Sequence, residues 1–166
     1  MAQAFKFSVD IDAAYYAAIG EIAARWSWLE HRLGVLIREG FRFDKAAARA
    51  VMASMNARTL VRTAQILTSF RDWIDDESMR IEVADFVSAV ESQRDKRNSY
   101  VHGVYGPETT KPAIMYRILM RSGDQILAPK GTPVTISDLQ SLARELRVLQ
   151  ERGNALSNRL KKMQRK

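Results

Sequence analysis

An all-α fold, a four-helix bundle with a short β-hairpin inserted before the last helix, is what this chain predicts, and three observations predict it. Four long stretches repeat apolar residues at intervals of three and four, the helical period. One short stretch, about residues 112–128, breaks that period. The 166 residues are 46% hydrophobic and 27% charged with no Cys, enough apolar content to build a core without disulfides. Length and even composition, with no repeat, low-complexity tract or linker, fit a single domain over residues 1–166.

The first helix is expected from Asp12 to about Gly40, through Tyr15, Ile19, Ile22, Trp26, Leu29, Leu33 and Leu36. A second begins after Asp44, a good N-cap, and runs through Val51, Met52, Met55, Leu60, Ala64, Leu67 and Phe70; near Asn56 it is interrupted by a kink or a loop. The third follows Asp75-Asp76-Glu77, uses Val83, Phe86, Val87 and Val90, and should end near His102-Gly103, because Gly is the commonest residue just past a helix. Pro112 with AIMYRILM, a turn-like Ser122-Gly123-Asp124 and QILAP then read as the two strands of a hairpin, which must pack on the helices to be stable. Thr135-Ile136-Ser137-Asp138 resembles a capping box with Asp in place of Glu, and it opens a last helix through Leu139, Leu142, Leu146, Leu149, Leu156, Leu160 and Met163.

Composition also excludes function classes. Without Cys, and with only His31 and His102, there is no spacing for a zinc site, so no metal or other cofactor is expected. The amino terminus has no charged-then-apolar leader and no apolar run spans a bilayer, so the chain reads as a soluble cytoplasmic protein without a membrane partner. The net charge is +7, and residues 138–166 carry eight Lys or Arg against three acids, so the basic carboxy-terminal end (about 159–166 its densest part) would suit either a polyanion or plain solvation of a helix face.

The third helix breaks its own pattern. With Val83 at zero on an ideal helix, Val87 lies at about 40°, Val90 at about 340°, Arg94 at about 20° and Arg97 at about 320°, so two arginines occupy the core stripe. Asn98 at about 60° and His102 at about 100° lie beside them. Burying a guanidinium without partners costs several kcal/mol, roughly, so these residues need acids, a groove or a ligand. A structural reading has Arg94 and Arg97 paired with acids of other helices and His102 closing its own; Glu30, beside the Trp26–Leu33 stripe, is a candidate partner for either arginine, or else serves its own helix at i,i+4.

Residues 97–103 read R-N-S-Y-V-H-G. This string resembles the R-x(4–6)-H signature of the HEPN superfamily (higher eukaryotes and prokaryotes nucleotide-binding), in which Asn often follows the Arg and the motif sits toward the end of a late helix of an all-α bundle. The resemblance implies a metal-independent endoribonuclease working as a homodimer, with motif residues of both subunits in one cleft, in a toxin–antitoxin or phage-defence setting. By motif position His102 is then the general acid and base, Arg97 the phosphate clamp, and Asn98 a group that orients the imidazole or holds substrate. Arg94, Tyr100 and Tyr105 would contact the RNA, the tyrosines by stacking on bases. Two features depart from this pattern. Antitoxin-coupled members carry a modifiable Tyr two residues after the His, where this chain has Val104 and then Tyr105. Arg97 and His102 lie about 140° apart on an ideal helix, so joint action needs local unwinding near Gly103 or the reach of the Arg side chain. The other implied partners are an antitoxin or regulatory protein; the alternative functions are a non-catalytic module that binds RNA, a nucleotide or a protein, and a purely structural dimer.

Overall fold

The computed structural model describes residues 11–41, 45–108, 111–118 and 132–163. They form an all-α bundle: α1 (Ala13–Phe41), α2 (Lys45–Ala53), α3 (Ala57–Thr68), α4 (Glu77–Val101) and α5 (Ile136–Met163), with strands β1 (Val104–Glu108), β2 (Lys111–Ile118) and β3 (Thr132–Pro133) between α4 and α5. No described helix is long and apolar enough to cross a membrane.

The expected second helix is two. Asn56 adopts an extended backbone, and its side-chain oxygen accepts from the Thr59 amide at 2.9 Å and the Thr59 hydroxyl at 3.1 Å, so the interruption is the N-cap of a new helix. The N-cap expected at Asp44 lies outside the described residues. The other helix starts follow the same chemistry. Asp12 accepts from the Ala14 amide at 2.8 Å, and Asp76 from the Met79 amide at 2.8 Å. At α5 the capping box forms in both directions: Asp138 accepts the Thr135 amide at 2.8 Å, and the Thr135 hydroxyl accepts the Asp138 amide at 3.1 Å.

The strand expected at about residue 112 is β2, but its described partners differ from the expected one. The sheet is antiparallel in the order β1-β2-β3, with Val104 opposite Ile118, Gly106 opposite Tyr116, and Tyr116 opposite Pro133. The hairpin therefore begins at Val104, and Ser122-Gly123-Asp124 and the second expected strand lie outside the described residues. Gly106 and Pro107 disguise β1 as loop; they are tolerated because β1 is an edge strand.

The chain, which its length suggests is one domain, groups into two compact units: Met1–Ala24 with Asp95–Glu145, and Arg25–Arg94 with Leu146–Lys166. In the first, Ala18, Ile22, Tyr105, Val134, Leu139 and Leu142 are buried, the Tyr15 hydroxyl donates to the Val134 carbonyl at 3.1 Å, and Lys96 pairs with Glu145 at 3.1 Å. Burial raises the Tyr15 hydroxyl above its ordinary value, helped by the Asp12 and Asp138 carboxylates.

The second unit buries Trp26, Leu29, Leu33 and Leu36 of α1, Leu60, Val61, Ala64 and Leu67 of α3, Met79, Val83, Phe86, Val87 and Val90 of α4 and Leu146, Leu149, Leu156 and Leu160 of α5. Arg25 donates to Gln150 at 2.9 Å, and the Gln150 amide returns a bond to the Arg25 carbonyl at 3.1 Å. Gly153 lets α5 approach Phe86: a Cβ there would stand 2.9 Å from the Phe86 ring tip and 3.7 Å from Arg32 Cβ. The neighbouring Ser157, fully buried, satisfies its hydroxyl on the Gly153 carbonyl at 2.8 Å.

Candidate functional site

Burial along α4 stops where its sequence turns polar. Met79, Val83, Phe86, Val87 and Val90 are buried, whereas Arg94, Arg97 and Val101 on the same stripe are half-buried. Arg94, in the second unit, spends a guanidinium nitrogen on Glu91 at 2.9 Å, one turn back on its own helix. Glu30, also in the second unit, accepts the indole N–H of Trp26 at 2.6 Å, so its described hydrogen bond is the i,i+4 one along α1.

Arg97, Asn98 and His102 meet in the first unit. α4 ends at Val101, and the His102 amide still donates to the Asn98 carbonyl at 3.0 Å, which fixes the backbone one residue past the helix and leaves the imidazole exposed. Arg97 Nη1 donates to Asn98 Oδ1 at 2.8 Å and stands 3.5 Å from His102 Nε2. The separation of about 140° on an ideal helix is thus closed both by the end of the helix and by the length of the arginine.

The Asn98 amide oxygen accepts from the Arg97 guanidinium and so steers it. Tyr105 is placed differently from a base-stacking side chain. It is 7% exposed and its hydroxyl donates to the Tyr100 carbonyl at 2.5 Å, so it braces the last turn of α4 from β1 and offers no open face to a base. Tyr100 is half-buried. Sequence reading missed Lys96, whose ammonium takes both oxygens of Glu145 at 3.1 Å and ties the carboxy-terminal end of α4 to α5. No local spacing could have signalled a pair 49 residues apart.

The Arg97–His102 arrangement offers an exposed proton-transfer group beside a permanent cation, the pairing that phosphate chemistry at a hydroxyl requires. Among the described residues no group of three or more His, Asp or Glu could hold a metal ion. No family model matches the chain, and no characterised protein or solved structure is significantly similar to it.

Proposed function

We propose that the chain is a HEPN-like endoribonuclease that cleaves RNA without metal, acting in the cytoplasm as a homodimer. The observation that carries this reading is the 3.5 Å approach of Arg97 Nη1 to His102 Nε2 at the exposed end of α4. In this mechanism the His102 imidazole takes the proton of a ribose 2′-hydroxyl, whose oxygen attacks the adjacent phosphorus. Negative charge accumulates on the phosphorane oxygens, and Arg97, steered by Asn98, stabilises it as a fixed cation. The P–O5′ bond then breaks as an imidazolium protonates the departing oxygen, leaving a 2′,3′-cyclic phosphate and a 5′-hydroxyl. A second copy of the chain would supply the second imidazole across a two-fold axis, which allows one motif histidine per subunit to serve as both base and acid. A toxin or phage-defence role, with an antitoxin as regulator, belongs to this reading.

The test is a cleavage assay on total and defined RNA in EDTA, with wild type, His102→Ala and Arg97→Ala. Cutting that leaves cyclic phosphate ends and disappears in both variants is the expected result. A folded dimer that binds RNA and never cuts it would replace the enzyme with the binding module.

A further inference from the structure

Three of the α5 arginines that drew attention in the sequence are engaged. In the second unit Arg147 pairs with Glu151 at 3.1 Å, Arg152 donates to the Glu82 carbonyl at 3.3 Å, and Arg159 grips both oxygens of the Glu82 carboxylate. The opposite situation holds in α3 of the same unit. Residues 45–71 contain Lys45, Arg49, Arg58, Arg62 and Arg71 and no Asp or Glu at all, where the chain's average of 19 acids in 166 residues would place about three. Arg58 and Arg62 are exposed, and among the described residues neither meets a carboxylate or any other hydrogen-bond acceptor. They lie one helical turn apart, about 40° from each other and about 6 Å along the axis, so both charges point from one side of the helix. Their position in the first half of α3 adds to the positive end of the helix dipole, where an acid would normally be found. Phe70, two residues past the helix end, is 57% exposed.

We infer that this face of α3 is a binding surface for RNA: Arg58 and Arg62 neutralise successive phosphates of a strand and Phe70 stacks on a base. The inference rests on the RNA reading above, but on residues that reading does not use. Charge complementarity selects the occupant. A membrane surface would need a broad apolar face, yet the apolar face of α3, Leu60, Val61, Ala64 and Leu67, is already buried, and the outward one carries Arg58, Thr59, Arg62, Gln65 and Ser69 with Ile66, 50% exposed, as its one large apolar residue. Guanidinium groups unengaged among the described residues, on a helix followed by an exposed aromatic ring, suit a flexible polyanion with flat bases.

The experiment measures binding of a fluorescent single-stranded RNA to the full-length His102→Ala protein over a range of salt, so that cleavage does not interfere. The Arg58→Ala/Arg62→Ala double variant should flatten the plot of log affinity against log salt by about 1.4, from about 0.7 per phosphate contact on a single strand. Phe70→Ala should weaken binding about tenfold with the slope unchanged. Arg147→Ala/Arg152→Ala, which removes the same formal charge from α5, should leave the slope as it is. An unchanged slope in the α3 variant, an equal flattening in both double variants, or binding to anionic phospholipid vesicles in place of RNA overturns the inference; circular dichroism of each variant excludes unfolding as the cause. If wild type cuts RNA and the α3 slope does not move, the surface is wrong and the enzyme stands. If the slope moves and wild type never cuts, the enzyme is wrong and the surface stands.

Discussion

From Met79 to Val90, α4 turns Met79, Val83, Phe86, Val87 and Val90 into a buried core, each at most 1% exposed. From Arg94 to Val101 the same spacing of three and four carries Arg94, Arg97 and Val101, and all three are half-buried. One helical repeat therefore spans a sealed stretch and an open one. The period fixes which side of a helix a residue occupies; whether that side is closed depends on what the rest of the chain lays over it. The arginines stay half-buried and the Arg97 Nε atom is itself buried, so part of the burial cost remains with them. The largest expected difference follows directly. Phe86→Ala should cost about 3–5 kcal/mol in a denaturant titration, the usual penalty for emptying a fully buried ring site. His102→Ala, at an exposed position, should stay within about 0.5 kcal/mol of wild type while cleavage falls at least about a hundredfold. A His102 variant as unstable as the Phe86 one would erase the distinction between the two stretches.

Gly153 tests the sealed stretch from the other side. Alanine is the better helix former by about 1 kcal/mol, so an exposed site would be stabilised by the change. Here the new Cβ would lie 2.9 Å from the tip of a Phe86 ring that is itself fully buried. Gly153→Ala should therefore be net destabilising, by up to about 2 kcal/mol, since overpacking costs about 1–3 against that gain of about 1. Trimming the ring in Phe86→Leu should make the two changes less costly together than their separate sum, because the clash is removed. Strict additivity would show that the two residues do not press on one another.

How far the sequence could be read follows the same division. Helix boundaries governed by local chemistry were legible: Asp12, Asp76 and the Thr135–Asp138 box all cap where their side chains predict. Asn56 marked an interruption, but only the hydrogen bond to Thr59 distinguishes a fresh start from a kink. β1 was not legible, because Gly106 and Pro107 are loop-forming residues that only an edge position redeems. At the candidate site, the string from Arg97 to His102 could be seen, whereas the fate of each polar atom could not. That Asn98 takes the guanidinium, that Tyr105 turns its hydroxyl to the Tyr100 carbonyl, and that α5 spends its arginines on Glu82 and Glu151 are choices among long flexible side chains, which spacing does not encode.

A smaller effect is expected at the α5 start, where stability comes from polar bonds rather than from burial. Thr135→Ala should cost about 1 kcal/mol, an ordinary capping loss. The bonds from the Thr135 amide and hydroxyl hold the Asp138 carboxyl below its ordinary value of 3.8. A carboxyl lowered in the folded state adds stability that is complete above the unfolded value and disappears as pH falls through the folded one. The stability gap between wild type and Asp138→Ala should therefore be constant near neutrality and close below about pH 3.8. A gap that persists in stronger acid would mean that the side chain works by packing.

The smallest stability effect belongs to Glu82, on α4 beside the buried residues but turned toward solvent. Arg159 binds its carboxylate through two nitrogens, and this hydrogen bonding, more than the charge of Arg159 or Arg152, holds the carboxyl below its ordinary value. Because the pair is solvent-exposed, its Coulomb energy is weak and screened, and holding two long side chains in place costs entropy. Glu82→Gln should therefore leave the Tm unchanged at physiological salt. It should still alter RNA binding: an amide cannot hold the guanidinium as a carboxylate does, so Arg159 becomes available to a phosphate and the salt dependence of binding should steepen. If instead the slope stays fixed while the α3 arginines still control it, phosphate contact requires the geometry of α3 and not simply a free cation.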